Sequence, residues 1–426
     1  YFKHTKFSNH LLMSKQVEVA IIGAGLAGLA CAIELQKNNI DFQIFEASDG
    51  VGGRVRSDVI DGFILDRGFQ LYNPSYPEGK RLLNYDALDL KPFIPGVAIR
   101  DNKRLRIVVD PFRAKGFRLN LLKDIPGNPL SYLGLLRYFL SYLVTSDAQI
   151  ATTKDISASD SLIKSGVRGN LLEKLLRPFL KGVFLESELK TSRKFLDVVL
   201  KTFLRGTPSV PAQGMQVISD QLASKLPVEK ISLNTKIIKI EGNKLQTENE
   251  EIIAKKIVVA TDPTTAISWL NLEEKIMHTV TTWYFKADQR VAELVKGKPI
   301  LFVDASNNGP LANAVVLTNA ASSYAPSGQV LVSASAISPH QNADLESVKK
   351  HLSVIFGLDT NSWQLIKQYQ IKEALASMYP PFSLINSNQI SEDLFVAGDH
   401  RATSSIQGAL LSGTNAATLV KVSLGL

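Results

Sequence analysis

The pattern of apolar and polar residues predicts an α/β protein. Residues 17–22 (VEVAII) form a continuous apolar run, which is typical of a buried parallel strand. Residues 42–46 (FQIFE) predict a second strand that ends in an acidic residue. The other predicted elements are apolar helices over 129–144 and 170–185, strands over 236–261 that turn at EGNK, and sheet strands over 278–287 and 328–337.

A glycine-rich turn follows the first predicted strand and precedes a helix. Residues 23–28 (GAGLAG, with Leu26 and Ala27 inside the motif) match GxGxxG. In this motif Gly23 permits the tight turn, Gly25 lets the backbone approach a pyrophosphate, and Gly28 lets helix and strand pack closely. The helix N-terminus attracts phosphate, and Glu46 is positioned to accept hydrogen bonds from an adenosine ribose. These features predict a Rossmann-type dinucleotide site and do not separate NAD from FAD.

A second glycine pair, in residues 51–56 (VGGRVR), separates these two cofactors. Residues 44–72 (IFEASDGVGGRVRSDVIDGFILDRGFQLY) resemble the signature of the flavin-containing amine oxidase, phytoene desaturase and protoporphyrinogen oxidase superfamily. In that family the loop returns to the pyrophosphate from the side opposite the first turn. The resemblance implies that Gly52 and Gly53 allow close backbone approach and that Arg54 binds phosphate oxygens. It therefore implies FAD.

The resemblance extends to the C-terminal segment, where residues 392–420 match the family's strand, Gly-Asp pair and small-residue helix. Many relatives have a basic residue where Ser48 stands. The flavin-linking cysteine of some family members is absent here, which implies noncovalent FAD. The further cofactor neighbours that the resemblance implies are Ala47 and Ser48 near the adenosine, Gly68, Phe69 and Gln70 beside the flavin, Ile237 against the adenine, Ala260 on a nearby core strand, Asp399 at the ribityl chain, and Ser405 and Ile406 at the flavin pyrimidine edge.

The order of the motifs predicts two interleaved domains. A Rossmann-type FAD-binding domain is assembled from three discontinuous segments, and an inserted mixed α+β substrate domain comes from the two segments between them. The expected boundaries are 1–12 for an extension outside the fold, 13–75, 205–265 and 390–426 for the FAD-binding domain, and 76–204 and 266–389 for the substrate domain.

The resemblance implies an FAD-dependent oxidoreductase of the desaturase or oxidase type. A hydride equivalent would pass from an apolar or amphiphilic substrate to the flavin. Because no second GxGxxG is present, reoxidation would fall to oxygen, a quinone or another acceptor. A flavin amine oxidase acting on a bulky amine is the alternative. Residues 398–413 contain no Tyr, Trp or Phe, which counts against a simple amine oxidase, although Trp283 or Tyr324 could supply an aromatic partner.

Catalytic residues are not identified by this pattern. His400 and Arg401 could face the substrate or anchor a loop. Lys286 resembles a lysine near the flavin of some family members, but a solvent-facing strand lysine is the simpler interpretation. The sequence has a single cysteine, Cys31, and its six histidines show no ligand spacing, so we predict no metal site.

Prenyl-protein escort proteins resemble this fold but act as binding modules without FAD. A non-redox binding protein of this type is therefore the alternative to an enzyme. The intact glycine, Glu46 and Asp399 positions argue against them here. The composition, 45% hydrophobic and 21% charged, is that of a globular protein with no nucleic-acid partner. We expect a cytoplasmic location. The net charge of +8 is consistent with a peripheral membrane contact or simply with a basic surface. The apolar segment 129–144 is consistent with a membrane-facing patch, an apolar substrate tunnel or a buried helix.

Overall fold

Two seven-stranded sheets organise the protein, which we describe from a computed structural model. The structure describes residues 15–110, 113, 129–307 and 309–426, so the extension predicted over 1–12 lies outside the described residues. The strands are β1 (Lys15–Ile22), β2 (Phe42–Phe45), β3 (Ser57–Ile60), β4 (Phe63–Asp66), β5 (Leu90–Pro92), β6 (Gly96–Asp101), β7 (Arg104–Val109), β8 (Ser209–Pro211), β9 (Ile231–Ser232), β10 (Lys239–Glu241), β11 (Lys244–Gln246), β12 (Glu251–Val259), β13 (Met277–Ala287), β14 (Leu301–Asp304), β15 (Leu311–Val316), β16 (Val330–Ile337), β17 (Gln364–Ala376) and β18 (Leu394–Val396).

The α-helices lie between and around these strands. They are α1 (Leu26–Lys37), α2 (Pro77–Leu82), α3 (Tyr85–Leu88), α4 (Pro129–Val144), α5 (Asp147–Thr152), α6 (Ala158–Lys164), α7 (Arg177–Phe184), α8 (Arg193–Arg205), α9 (Gln216–Ala223), α10 (Pro263–Leu270), α11 (Gln289–Glu293), α12 (Leu317–Ala320), α13 (Leu345–Phe356) and α14 (Ile406–Ser423).

The first sheet has the strand order β10-β11-β12-β1-β2-β9, with β18 also paired to β12. Strand β1 runs parallel to both β12 and β2, and its last four residues are buried. This burial explains why the sequence there is continuously apolar rather than alternating. The C-terminal helix α14 packs on α1, where a Cβ at Gly413 would lie 2.1 Å from the carbonyl oxygen of Ala27. The two ends of the described chain therefore share one core.

The second sheet has the order β17-β13-β16-β15-β14-β6-β7. Its long strand β13 pairs antiparallel with β16 on one side and β17 on the other. Trp283 and Phe285 pack toward a core that includes α13, whereas Tyr284 packs with Phe63 and Leu65 of the hairpin β3–β4. One face of β13 is thus directed at the segment that follows the glycine loops.

The expected domain division remains a prediction, and the packing bears on one boundary. Leu82 of α2 and Leu88 of α3 belong to the same core as Ile21 of β1. The second sheet begins only with β6. This packing favours a boundary near residue 90 rather than 75.

Most predicted elements are present. The predicted helix over 129–144 is α4, and the EGNK turn joins β10 to β11. The helix predicted over 170–185 is instead a π-helical segment, Leu171–Leu176, continued by α7. Pro178 at the start of α7 has no N–H to donate, which breaks the regular α-helical hydrogen-bond ladder at this point.

Candidate functional site

The GxGxxG turn is closed by backbone contacts that only glycine permits. Gly23 has a φ of +107° and donates its N–H to the carbonyl of Phe45 at 2.8 Å. A Cβ at Gly28 would lie 2.0 Å from the carbonyl oxygen of Gly23. A Cβ at Gly23 would in turn lie 2.5 Å from the oxygen of Ala260. These contacts fix strand, turn and helix α1 against one another.

The second glycine loop lies directly on the first. Gly52 donates its N–H to the carbonyl of Ala24 at 2.8 Å, and Gly25 and Gly52 form a parallel bridge. A Cβ at Gly53 would lie 3.4 Å from the Cα of Gly25. Gly25 itself is open, because no atom of the described residues would lie within 4 Å of a Cβ placed there. The two loops therefore form a cradle lined by backbone.

Helix α1 begins at this cradle with its amide groups uncompensated. Gly25 provides no side-chain cap, and the first turn contains no acidic residue. The first N–H groups of a helix lack partners inside the helix and carry partial positive charge. The arrangement fits the pyrophosphate of a dinucleotide.

Glu46 connects the first glycine loop to the segment that leads into the second. Its Oε2 accepts the Ala24 N–H at 2.7 Å, and its Oε1 accepts the Ser48 N–H at 2.8 Å and the Ser48 hydroxyl at 2.7 Å. Ser48, which replaces the basic residue of many relatives, therefore holds the carboxylate from the other side. Ala47 between them is exposed.

Arg54 connects the second loop to the C-terminal motif. Its guanidinium donates to Oδ1 of Asp399 at 2.6 Å and to the carbonyl of Ala374 in β17 at 3.0 Å. The Asp399 side chain is 6% exposed and that of Arg54 is 34% exposed. Arg54, predicted to bind the pyrophosphate, and Asp399, predicted to bind the ribityl chain, thus form an ion pair. Arg54 also contacts the second sheet.

Residues 68–70, predicted to line the flavin, are held by the second sheet and by the second glycine loop. The Phe69 N–H donates to Oγ1 of Thr282 on β13 at 3.4 Å, and the Gln70 amide donates to the carbonyl of Arg54 at 2.8 Å. Gly68 has a φ of +90°. A Cβ at Gly68 would lie 3.5 Å from Cγ1 of Ile371 on β17.

Asp66, just before this segment, is buried in a network of hydrogen bonds. Its carboxylate accepts from the Ser57 hydroxyl at 2.6 Å, the Met215 N–H at 2.8 Å and the Tyr324 hydroxyl at 3.0 Å. Its backbone carbonyl accepts from the Tyr284 hydroxyl at 2.8 Å. Burial raises the pKa of Asp66 to about 6. The network fixes the chain that enters residues 68–70.

The C-terminal helix α14 points its N-terminus toward the same region. Its N-cap, Ser405, accepts the Gly408 N–H at 3.0 Å, and Ile406 is half-buried beside it. The preceding Ser404 donates its hydroxyl to Ala376 at 2.9 Å and its N–H to Sδ of Met378 at 3.3 Å. The segment after β17 therefore lies against the start of α14.

The three weak catalytic candidates have different environments. His400 is 2% exposed, and neither ring nitrogen has a hydrogen-bond partner among the described residues. Burial lowers the pKa of His400 to about 4, so its ring is neutral at pH 7. Arg401 donates to the carbonyl of Ser387 and thereby anchors a loop. Lys286 is exposed on β13, four residues beyond Thr282.

The remaining predicted neighbours are apolar. Ile237 and Ala260 are buried, at 3% and 6% exposure. Of the two aromatic candidates, Trp283 is 1% exposed within the core under α13, and Tyr324 is held by Asp66.

Comparison with known proteins identifies the family. The model of the flavin-containing amine oxidoreductases matches residues 26–421. The chain belongs to this family. Its α/β fold is of the amine oxidase type, as the motifs predict, and its family is one of flavin-containing oxidoreductases.

Individual relatives within the flavin oxidoreductase family are distant. Protoporphyrinogen oxidase 2 of Arabidopsis thaliana is 24% identical over 269 residues, which are 53% of this chain and 50% of that protein. A 4,4'-diapophytoene desaturase of Staphylococcus aureus is 27% identical over 188 residues, 38% of this chain and 37% of that protein. The matches thus span half or less of these curated relatives.

Among solved structures, putrescine oxidase bound to putrescine shares the fold. The TM-score is 0.69 at 16% identity, over 96% of this chain and 100% of that one. The likeness extends through both sheets, since it covers nearly the whole chain.

Among the described residues, no helix is long and apolar enough to cross a membrane. Within the same residues no group of three or more His, Cys, Asp or Glu side chains is arranged to hold a metal ion.

Sequence reasoning missed the residues that position the site from a distance. Asp66 lies within the quoted signature, but only the fold reveals its contacts with Met215 and Tyr324. His278, near the start of β13, carries no spacing signal. Alternation of apolar residues along a strand could identify its faces, but not which face meets the cofactor segment.

Proposed function

We propose that this chain binds FAD noncovalently and oxidises an apolar or amphiphilic small molecule, with a hydride equivalent passing to the flavin. The observation that carries the proposal is the contact between the two glycine loops, where Gly52 bonds to Ala24 beside the open approach at Gly25. A bound flavin supplies the two-electron acceptor chemistry, and the protein supplies binding and orientation.

The residues of the cradle have complementary roles in this proposal. Glu46 binds the adenosine ribose, and the amides of α1 bind the pyrophosphate. Arg54 neutralises phosphate charge. Asp399 orients Arg54 and accepts hydrogen bonds from hydroxyl groups of the ribityl chain. The N-terminus of α14 faces the pyrimidine edge of the flavin, where negative charge collects on reduction.

Noncovalent binding is supported by the state of the only cysteine in the sequence. Cys31 is fully buried inside α1. Burial, together with the nearby charge of Glu34, raises the pKa of the Cys31 thiol well above its usual range. A protonated thiol in a core is inert toward a cofactor.

The preference for an apolar substrate is supported by the environment of the aromatic residues. A small cationic amine needs an aromatic or anionic partner beside the reacting atom of the flavin, because an unpaired charge in a dry pocket is costly. Residues 398–413 contain no aromatic residue. Trp283 and Tyr324 are each buried in a hydrophobic core. A large apolar substrate would instead gain roughly 25 cal/mol per Å² of area removed from water.

We further propose that α4 touches a membrane surface from which such a substrate is drawn. Leu130, Leu133, Leu136 and Leu140 lie on its outer side with exposures of 74%, 54%, 52% and 51%. Exposed Arg137 lies among them and can pair with an anionic headgroup.

Sedimentation with vesicles of mixed phosphatidylcholine and phosphatidylglycerol tests this contact. We expect the wild-type protein to bind and L133E/L136E to lose most of the binding. Val228→Glu, at a site that is 84% exposed elsewhere, should bind like the wild type. Equal binding by all three proteins would contradict the role of α4.

Anaerobic bleaching of the flavin tests the reaction. A panel of carotenoids, a porphyrinogen, putrescine and benzylamine should bleach only with an apolar or amphiphilic member. Rapid bleaching by an amine alone would favour the bulky-amine alternative, consistent with the family name. A purified protein that neither contains nor takes up flavin would favour a non-redox binding function of the escort type.

A further inference from the structure

A cluster of three polar side chains lies in the substrate domain, outside the residues assigned to the cofactor. It comprises Glu186 after α7, His278 on β13 and Tyr379 after β17. The His278 and Tyr379 rings meet edge to face, with centroids 5.9 Å apart. The charge of Glu186 influences the pKa values of both other groups.

One atom of this cluster has an unmet hydrogen bond. His278 is 8% exposed, and its Nε2 is buried with no partner among the described residues. Burial lowers the pKa of His278, partly offset by Glu186, so the ring is neutral at pH 7. Leaving a buried polar nitrogen without a partner carries a free-energy cost. A ligand atom that bonded to Nε2 would recover that cost.

The cluster is bordered by segments predicted to hold the flavin. His278 shares β13 with Thr282, which accepts the Phe69 N–H. Tyr379 directly follows Met378, whose sulfur accepts the N–H of Ser404.

A third border comes from apolar packing. Leu185, next to Glu186, and Ile371 both pack against the apolar core that contains Val280. Ile371 also faces Gly68. The polar cluster and the predicted flavin segment thus border the same apolar core.

The chemistry of the cluster selects among ligand groups. Oε1 of Glu186 already accepts two hydrogen bonds from Thr191, from its N–H and its hydroxyl, each at 3.1 Å. The Glu186 carboxylate would repel a ligand carboxylate. The unmet partner is a neutral imidazole nitrogen, which bonds a hydroxyl or carbonyl oxygen as donor or acceptor according to its tautomer.

We infer that Glu186, His278 and Tyr379 form the polar end of the substrate pocket and recognise a neutral hydroxyl or carbonyl group on an otherwise apolar substrate. This inference rests on the proposed function, because it assumes that the flavin lies at residues 68–70. It narrows the substrate class to amphiphiles with an uncharged oxygen head group.

A set of probes with one tail tests it. Farnesene, farnesol, farnesal, farnesylamine and farnesoic acid share an isoprenoid chain and differ in the head group. Their binding to the flavin-loaded protein is followed by the change in flavin absorbance. We expect farnesol or farnesal to bind about three- to tenfold more tightly than farnesene, the range of one net hydrogen bond, and farnesoic acid to bind most weakly.

Variants attribute this preference to the cluster. His278→Phe should remove the preference for the oxygenated probes and leave farnesene binding within about twofold of the wild type. His278→Gln should retain part of the preference, since its amide still bonds. His340→Phe, at an exposed histidine, is the control. Flavin content is measured for each protein.

The possible results distinguish a failure of the inferred role of Glu186, His278 and Tyr379 from a failure of the proposed function. Equal affinity for all probes, tightest binding of the acid or amine, or a preference retained by His278→Phe would overturn the inference and leave the apolar pocket standing. Failure of every probe to bind flavin-loaded wild type would overturn both.

Discussion

The glycine loops and the facing strand β13 surround the same candidate site, but their residues are constrained by different forces. At Gly23, Gly28 and Gly52, neighbouring backbone atoms leave no room for a side chain. On β13, Thr282 and His278 are set by side-chain partners on other elements. Backbone constraints leave a signature in the sequence, whereas side-chain environments emerge only when distant segments meet.

Alanine substitutions at Gly28 and Gly25 test the backbone constraint most strongly, because we expect them to have the most different effects. Gly28→Ala places a Cβ 2.0 Å from a backbone oxygen, so we expect a stability loss of about 3 kcal/mol or more and no flavin. Gly25→Ala meets no described atom, and its φ of −70° suits alanine. That variant should keep the wild-type melting temperature and lose flavin affinity. Thermal melts and FAD titration separate the two effects.

Equal melting temperatures for both variants would contradict the packing argument. Unchanged FAD affinity in Gly25→Ala would mean that the pyrophosphate does not approach there.

His400 tests the side-chain environment through pH. Its pKa is about 4 in the folded protein and 6.5 ordinarily, so the unfolded chain binds a proton first as the pH falls. Stability is therefore lost between pH 6.5 and 4, by up to about 3 kcal/mol at 1.36 kcal/mol per pKa unit. His400→Gln should show a shallower acid loss in urea denaturation. An identical pH profile would contradict the buried neutral ring.

Asp66 should act with the opposite sign. Its pKa is about 6 in the folded protein and 3.8 ordinarily, so the folded state holds the proton more tightly. Its ionised form disfavours folding above pH 6, and this cost disappears as the pH falls toward 4, by up to about 3 kcal/mol. Asp66→Asn should lose this acid gain. A wild-type minus variant difference that does not change between pH 7 and 4.5 would refute the assignment.

Arg54 joins the two regions. Its side chain is 34% exposed, but that of Asp399 is only 6% exposed, so Arg54→Ala leaves a buried carboxylate without its ion-pair partner and should cost about 3 kcal/mol of stability. FAD affinity should fall by about 1.5–3 kcal/mol, the range for a hydrogen bond to a charged group. Arg81→Ala is a matched control, since Arg81 is equally exposed and pairs with Glu34. Equal FAD affinities for both variants would place the phosphate elsewhere.

The sequence predicted the turn, strand and helix of the candidate cofactor site for a physical reason. The turn at Gly23, the acid at Glu46 and the helix that starts at Ile406 are local features whose spacing is fixed by strand and helix geometry. The family match confirms the flavin class that these motifs predict. The individual contact residues stay predictions, because no ligand contact tests them.

The substrate side could not be predicted in the same way. Glu186, His278 and Tyr379 are separated by about 90 and 100 residues, and no motif connects them. Their proximity depends on the register of β13 with β17, where His278 lies opposite Leu375. The exposed leucines of α4 are a second example. The apolar pattern predicted that a helix forms there, but not that these side chains are exposed.

The central claim is that the glycine cradle holds one FAD without a covalent bond. Acid precipitation of the purified protein, followed by chromatography and mass analysis of the supernatant, tests it most directly. The account predicts a yellow protein that releases FAD, close to one per chain, and a colourless pellet. Flavin retained in the pellet, release of NAD, or a protein that takes up no FAD would contradict it.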